Sequence, residues 1–267
     1  MKRIGDVLTS LSIPVGPAGS NGSATATPSW RCPVCKDAGW VRMEVPVGHP
    51  NFGRLIHCEC RFSEQAERER ENLRRLSNLD GFTRHTFDDF EQIPGTDEAF
   101  HVAREFARDL DPEHRWLYLR GGVGVGKTHL AVAAALEIRE RNGSVYFAVV
   151  PDLLDHLRAT FDPARGVAYD DRFNQIRGAP LLVLDDLGTE NTTPWAREKL
   201  YQIINHRYVE RLLTIVTSNQ SHDKIDERIL SRLLDTHLTR DVYIDAPDYR
   251  RRERPDYTRG RRPARGS

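Results

Sequence analysis

The densest chemical signal in the chain is the run Gly121-Gly122-Val123-Gly124-Val125-Gly126-Lys127-Thr128. Its spacing is G-x-x-x-x-G-K-[ST], the pattern of a loop that wraps phosphates. Glycines let the backbone curl until its N–H groups face an anion. The helix expected to start here adds the positive end of its dipole. Lys127 is expected to reach the β and γ phosphates, and Thr128 to offer its hydroxyl to Mg²⁺. With His129, which continues the run, residues 121–129 are the expected nucleotide-binding stretch.

Such a loop needs acidic groups nearby. "LLVLDDLG" supplies them, with Leu181 to Leu184 reading as a buried strand and Asp185 at its C-terminal edge. Ligands of open α/β sheets bind at that edge. Asp185 is therefore the expected Mg²⁺ partner, and Asp186 the residue facing the attacking water. Many ATPases carry Glu at the second position; Asp is shorter by one methylene. Asn219 ends another apolar run, "TIVTSN", where a neutral amide can hold the same water. In "DERILSRLLD", Arg228 and Arg232 are four residues apart and share a helix face. Arg232 is the expected residue to act across a subunit boundary on γ-phosphate charge. The structural alternative is a surface pair, such as Arg228 with Asp235 or Glu227.

A second constellation lies far upstream. The chain has four cysteines, Cys32, Cys35, Cys58 and Cys60. In a reducing compartment such a cluster points to metal rather than to disulfides. Four thiolates suffice for a closed tetrahedral Zn²⁺ site. "CEC" is tighter than the usual C-x-x-C, so His49 and His57 stand as alternatives for the fourth ligand. A module this small has little core, and metal would supply its folding energy.

The elements that must position these residues follow from periodicity. Apolar runs alternate with amphipathic stretches: "RWLYL", a helix over about 127–141, "SVYFAVV", helices near 151–160 and 168–177, "PLLVLDD", a helix over 195–210, "LLTIVTSN", short helices to 234, and "DVYIDA". That alternation predicts a parallel sheet covered on both faces. "SEQAERERENLRRLSNL" reads as a connector helix, with Glu71 and Arg75 an i,i+4 pair and Leu73 and Leu76 on one face. Residues 14–29, rich in Pro, Gly, Ser and Thr, read as a flexible linker. Residues 250–267 hold eight Arg against Glu253 and Asp256, a basic end with a solvated or a nucleic-acid-contacting role. Formal net charge is zero, which excludes a bulk polyanion binder. No run of 18 apolar residues exists, and the N-terminus lacks an apolar signal core, so a cytoplasmic protein with no membrane partner is expected.

Together, "GVGVGKTHLA", "LLVLDDLG", "TSN", "SRLLD" and "DYRRR" resemble the DnaC/DnaI-type replicative helicase loaders, which are AAA+ ATPases, and the related IstB-type transposition helper ATPases. The resemblance covers about residues 81–252. It implies an α/β P-loop AAA+ fold, a parallel sheet sandwiched by helices, without a C-terminal lid and preceded by a small zinc-binding module. It implies ATP, Mg²⁺ and Zn²⁺ as ligands. It makes Asn219 sensor 1, Arg232 the arginine finger and Arg250 sensor 2, with Arg251 and Arg252 as alternative registers. It also implies a homo-oligomer that delivers a replicative DNA helicase onto single-stranded DNA. The IstB-type alternative acts on duplex DNA for a transposase. DnaI-like loaders carry an N-terminal zinc-binding domain, which favours the loader. The expected organisation is a flexible segment over 1–30, a zinc module over 31–62, a connector helix over 63–80, an ATPase domain over 81–252 and a basic disordered tail over 253–267.

Overall fold

A computed structural model describes residues 30–109, 114–141, 143–159, 166–189 and 193–251. Residues 1–29, the tail from 252 onward and Arg252 with it lie outside the described residues. The chain divides into two compact units between Ser63 and Glu64.

In the first unit, β1 (Trp40–Arg42) pairs antiparallel with β2 (Leu55–His57). The turn before β1 is left-handed, with Lys36, Asp37 and Gly39 at φ 52°, 66° and 75°. Asp37 secures it: its carboxylate accepts the N–H groups of Cys32 at 2.9 Å and Arg31 at 3.2 Å. Helix α1 (Glu59–Leu76) begins at the second cysteine pair, earlier than its sequence periodicity suggests. It is not only a solvated connector, because Leu73 is buried in the core of the second unit.

The second unit is built on a five-stranded parallel sheet in the order β4-β5-β6-β3-β7. Its strands are β3 (Trp116–Gly121), β4 (Val145–Val149), β5 (Leu181–Asp185), β6 (Leu213–Ser218) and β7 (Thr239–Ile244). Because strand side chains alternate, each strand feeds both faces. Trp116, Tyr118, Tyr146, Leu182 and Leu184 pack with α4 (Val150–Ala159), α5 (Gly166–Arg177), α6 (Pro194–Val209) and α7 (Glu227–Leu233). Leu117, Leu119, Phe147, Leu181 and Val183 pack on the other face with α2 (Asp97–Asp109) and α3 (Lys127–Glu140). Helix α3 is buried nearly all round, and its alanines 131 and 133–135 let it approach the sheet closely.

Edge strand β4 is partly covered: the Phe147 N–H donates to Ser77 Oγ at 3.0 Å, and the 3₁₀ turn Asn78–Phe82 follows. That contact satisfies one backbone donor of an otherwise open ladder edge.

One buried cation ties the lower end of the sheet together. Arg207 is wholly buried and, among the described residues, has no carboxylate partner. Its Nε donates to Thr214 Oγ1 at 2.9 Å, and Nη1 to the carbonyls of Arg177 and Ala179 at 2.9 and 2.8 Å. Its Nη2 donates to the Leu213 carbonyl. Burial draws the guanidinium down to about 9, still charged at neutral pH. Arg207→Ala would strand these acceptors and open a cavity, so it should lower unfolding stability by about 3 kcal/mol or more. Urea denaturation of the two proteins measures this; equal midpoints would show that the acceptors re-pair with water.

Candidate functional site

Strands β5, β6 and β3 are neighbours and run in the same direction. Their C-terminal ends therefore bring Asp185, Asn219 and the glycine loop to one rim. A cavity of about 630 Å³ opens there. It is lined by Val123 to His129, by Asp185, Asp186 and Asn219, and by Arg250. On the other side stand His85, Phe90, Ile93 and Tyr249.

The loop needs its glycines. Gly121, Gly124 and Gly126 take φ of 149°, 74° and 98°, and α3 starts at the next residue, Lys127. Lys127 folds back over the loop: Nζ donates to the carbonyls of Gly121 at 3.0 Å and Gly122 at 2.6 Å. Burial holds this ammonium below the ordinary lysine value, against the upward pull of Asp186 and Asp185. Two neutral carbonyls are weak partners for such a charge, and a phosphate group is a far stronger one.

At the foot of the loop Thr128 Oγ1 donates to the Asp185 carboxylate, at 2.9 and 3.1 Å to its two oxygens. Thr217 Oγ1 donates to Asp185 Oδ1 at 2.7 Å. Asp185 is 4% exposed, and burial raises its pKa while the two threonine hydroxyls lower it. The same Thr217 oxygen accepts the Asp186 N–H at 3.0 Å. Asp186 sits at φ 62°, in the left-handed region that few non-glycine residues occupy. Thr217 was not among the residues singled out from the sequence. Its position in "TIVTSN", two before Asn219 on the neighbouring strand, is the signal that would have found it.

His129 Nε2 lies 2.8 Å from the Thr86 carbonyl, which makes that nitrogen the protonated one. Its ring meets Phe90 edge-on and His85 at a tilt. Burial lowers its pKa. Asn219 Oδ1 accepts the side-chain amide of Gln220 at 3.0 Å. Arg250 lines the cavity, whereas Arg251 pairs with Asp248 at 3.4 Å and is 87% exposed along its side chain.

Arg232 is not among the residues that line this cavity. It donates to Asn205 Oδ1 at 2.7 Å and to the Arg228 carbonyl at 2.6 Å, and its guanidinium lies over the Tyr201 ring. Arg228 does form surface pairs, but with Asp226 and Glu198 rather than with Glu227 or Asp235. Asp235 instead accepts the Tyr208 hydroxyl at 2.6 Å.

In the first unit the sulfurs of Cys32, Cys35, Cys58 and Cys60 all lie within 4.8 Å of one another. Cys32 and Cys58 are 3.7 Å apart, and Cys35 and Cys60 are 3.4 Å apart. Four sulfurs around one Zn²⁺ would sit roughly 3.8 Å apart, given zinc–sulfur bonds of about 2.3 Å, so the donor set fits. The Gly39 N–H donates to Cys35 Sγ at 3.3 Å. The backbone N–H of Cys35 is the main cause that draws the Cys32 thiol down to about 7. Neither histidine alternative joins the cluster: His49 Nδ1 accepts the Asn51 N–H, and the His57 ring meets Trp40 at a tilt, centroids 3.9 Å apart. Among the described residues no helix is long and apolar enough to cross a membrane.

Comparison with known proteins bears on this geometry. The sequence profile described as IstB-like ATP binding protein matches residues 52–256. A putative ATP-binding protein of an insertion sequence in Mycobacterium tuberculosis is 30% identical, over 79% of this chain and 85% of its own. The replicative helicase loader DnaI of Bacillus subtilis is 33% identical, over 51% of this chain and 45% of its own. The crystal structure of the DnaC helicase loader superposes with a TM-score of 0.51 and 28% identity, covering 61% of this chain and 97% of that one. The chain thus spans most of the insertion-sequence relative but under half the length of DnaI.

Thr217→Val keeps the shape but removes the hydroxyl that serves both aspartates. It should cost about 1–3 kcal/mol, because the Asp186 N–H loses its acceptor. A thermal melt against wild type measures this; an unchanged midpoint would show that Thr217 is dispensable to the strand end.

Proposed function

We propose a function from one premise: the chain belongs to the IstB-like ATP binding protein family. In this reading it is an AAA+ ATPase, hydrolysing ATP to ADP and phosphate and using nucleotide state as a switch. The observation that carries the reading is the cluster of Asp185, Thr128 and Thr217 at the foot of the glycine loop, beside a Lys127 that donates to the carbonyls of Gly121 and Gly122.

Bound Mg²⁺ would supply positive charge that offsets the phosphates. The Thr128 hydroxyl and the Asp185 carboxylate are the groups that would hold it. Lys127 exchanges its two carbonyl partners for phosphate oxygens. The N–H groups of the 121–129 loop receive the remaining phosphate charge. Asp186 and Asn219 orient the attacking water, and Arg250 contacts the γ-phosphate from the same subunit. Arg232 lies off its own chain's cavity and acts on a neighbour's nucleotide, which requires a homo-oligomer.

The client we propose is a replicative hexameric DNA helicase, delivered onto single-stranded DNA in the cytoplasm. Similarity to DnaI and DnaC supports this reading, as does the cysteine cluster. We assign that cluster a structural Zn²⁺ in a module over residues 31–62, joined by residues 63–80 to the ATPase domain over 81–252. A second reading, an ATPase acting on duplex DNA in transposition, is favoured by one observation: the insertion-sequence relative is matched over 85% of its length.

The deciding experiment titrates the protein, at one fixed salt concentration and with a non-hydrolysable ATP analogue, against single-stranded and duplex DNA of equal length. Salt is fixed because phosphate contacts dominate affinity. Nucleotide-dependent preference for single strands is the expected result; preference for duplex transfers the assignment to the transposition reading. Lys127→Ala should abolish turnover, and undiminished turnover would refute the phosphate-loop assignment. Metal analysis should find about one zinc per chain, and a folded protein free of metal would end the zinc assignment.

A further inference from the structure

The short segment after β7 lies against the glycine loop at several points. The Tyr249 N–H donates to the Gly124 carbonyl at 3.0 Å. The Asp248 carboxylate occupies the space that a Cβ at Gly124 would fill. A Cβ at Gly95 would overlap the Asp245 carbonyl, and one at Gly121 would crowd the Ile244 carbonyl. All three glycines have positive φ: 92°, 149° and 74° for Gly95, Gly121 and Gly124. Backbone from the end of β7 is thereby wedged between the phosphate loop and the segment that precedes α2.

One side chain completes that wedge. The Tyr249 hydroxyl donates to Glu91 Oε2 at 2.6 Å, joining residues 158 apart in sequence. Both residues line the cavity, and both are solvent-exposed. The bridge therefore lies at the cavity's solvent side. One of its ends is anchored to the phosphate loop through the Tyr249 backbone; the other is the loop carrying Phe90.

We propose that Tyr249 is a nucleotide-positioning residue, whose hydroxyl bridges to Glu91 across the cavity mouth and slows nucleotide release. This rests on reading the cavity as the nucleotide site. A molecule seated beneath the bridge leaves when the hydrogen bond opens. Removing the hydroxyl therefore speeds release. A hydrogen bond to a carboxylate at an exposed site corresponds to roughly three- to tenfold in rate.

The test is stopped-flow release of a ribose-labelled fluorescent ATP analogue, chased with excess unlabelled ATP, on the full chain with Mg²⁺. Tyr249→Phe keeps the ring and removes the bridge. It should release the analogue about three- to tenfold faster than wild type. Glu91→Gln retains an amide oxygen that accepts the phenol, so its release should lie between wild type and Tyr249→Phe. Glu91→Ala should match Tyr249→Phe. Release from Tyr249→Phe at the wild-type rate overturns the proposal. Lys127→Ala separates the two readings. If it loses the analogue while Tyr249→Phe behaves as wild type, the bridge alone is wrong. If it holds the analogue as well as wild type, the nucleotide site is wrong and the bridge falls with it.

Discussion

A parallel sheet buried on both faces leaves only its strand ends open to solvent. This constraint governs the second unit. The interiors of β3, β4, β5 and β6 are spent on packing, with alternate side chains feeding the two helical layers, while β7 at the sheet's edge leaves Arg240, Asp241 and Tyr243 exposed. Chemistry is thereby confined to the rim, and the strand order decides which ends meet. Because β3 lies beside β6 and β6 beside β5, a glycine loop, an amide and two carboxylates converge although they are spread over about 100 residues of chain. Reordering the same strands would scatter them.

Two buried cations show what distinguishes scaffold from site. Arg207 has its donors matched by three carbonyls and a threonine hydroxyl, all from fixed backbone or strand positions. Four of its five N–H donors are taken, and the side chain is closed off from solvent. Lys127 is also buried, yet its partners are two carbonyls of the glycine loop. Its third proton and its mobile stem leave it ready to exchange partners. A buried charge is a poor marker of function by itself. The marker is a buried charge whose partners are replaceable.

Much of this was legible in the residues. Strands β3 to β7 and the helix after the glycine loop were visible because their side chains alternate or repeat with the periods that burial requires, whereas β1 and β2 were not read from the sequence. The spacing of Gly121 to Thr128 and the acidic end of β5 carried the location of the cavity. Helix α2 was not among the elements read from the sequence, although Ala99, Phe100, Ala103, Phe106 and Ala107 repeat at helical spacing and are buried. Thr217 was missed because a threonine inside a strand reads as packing, and its two hydrogen bonds reach across to β5. The wedge formed by residues 244–249 was unreadable for a different reason. It consists of backbone meeting backbone over glycines, and such contacts leave no side-chain pattern. The intrachain partners of Arg232, Asn205 and Tyr201, were hidden because they lie on another helix, α6.

The left-handed backbone at Asp186 bears on the shortness of its side chain. A strand that must stop at Asp185 and turn at once places the following residue where only small or self-solvating side chains sit comfortably. Aspartate and asparagine tolerate that bend, because a short polar group can hydrogen-bond locally; a glutamate there carries an extra methylene and loses that advantage. The acid at this position is therefore chosen by chain direction before reach is considered. Exchanging it for its longer homologue tests the bend as much as the carboxylate, and a loss of turnover in that variant would report on geometry as well as on proton chemistry.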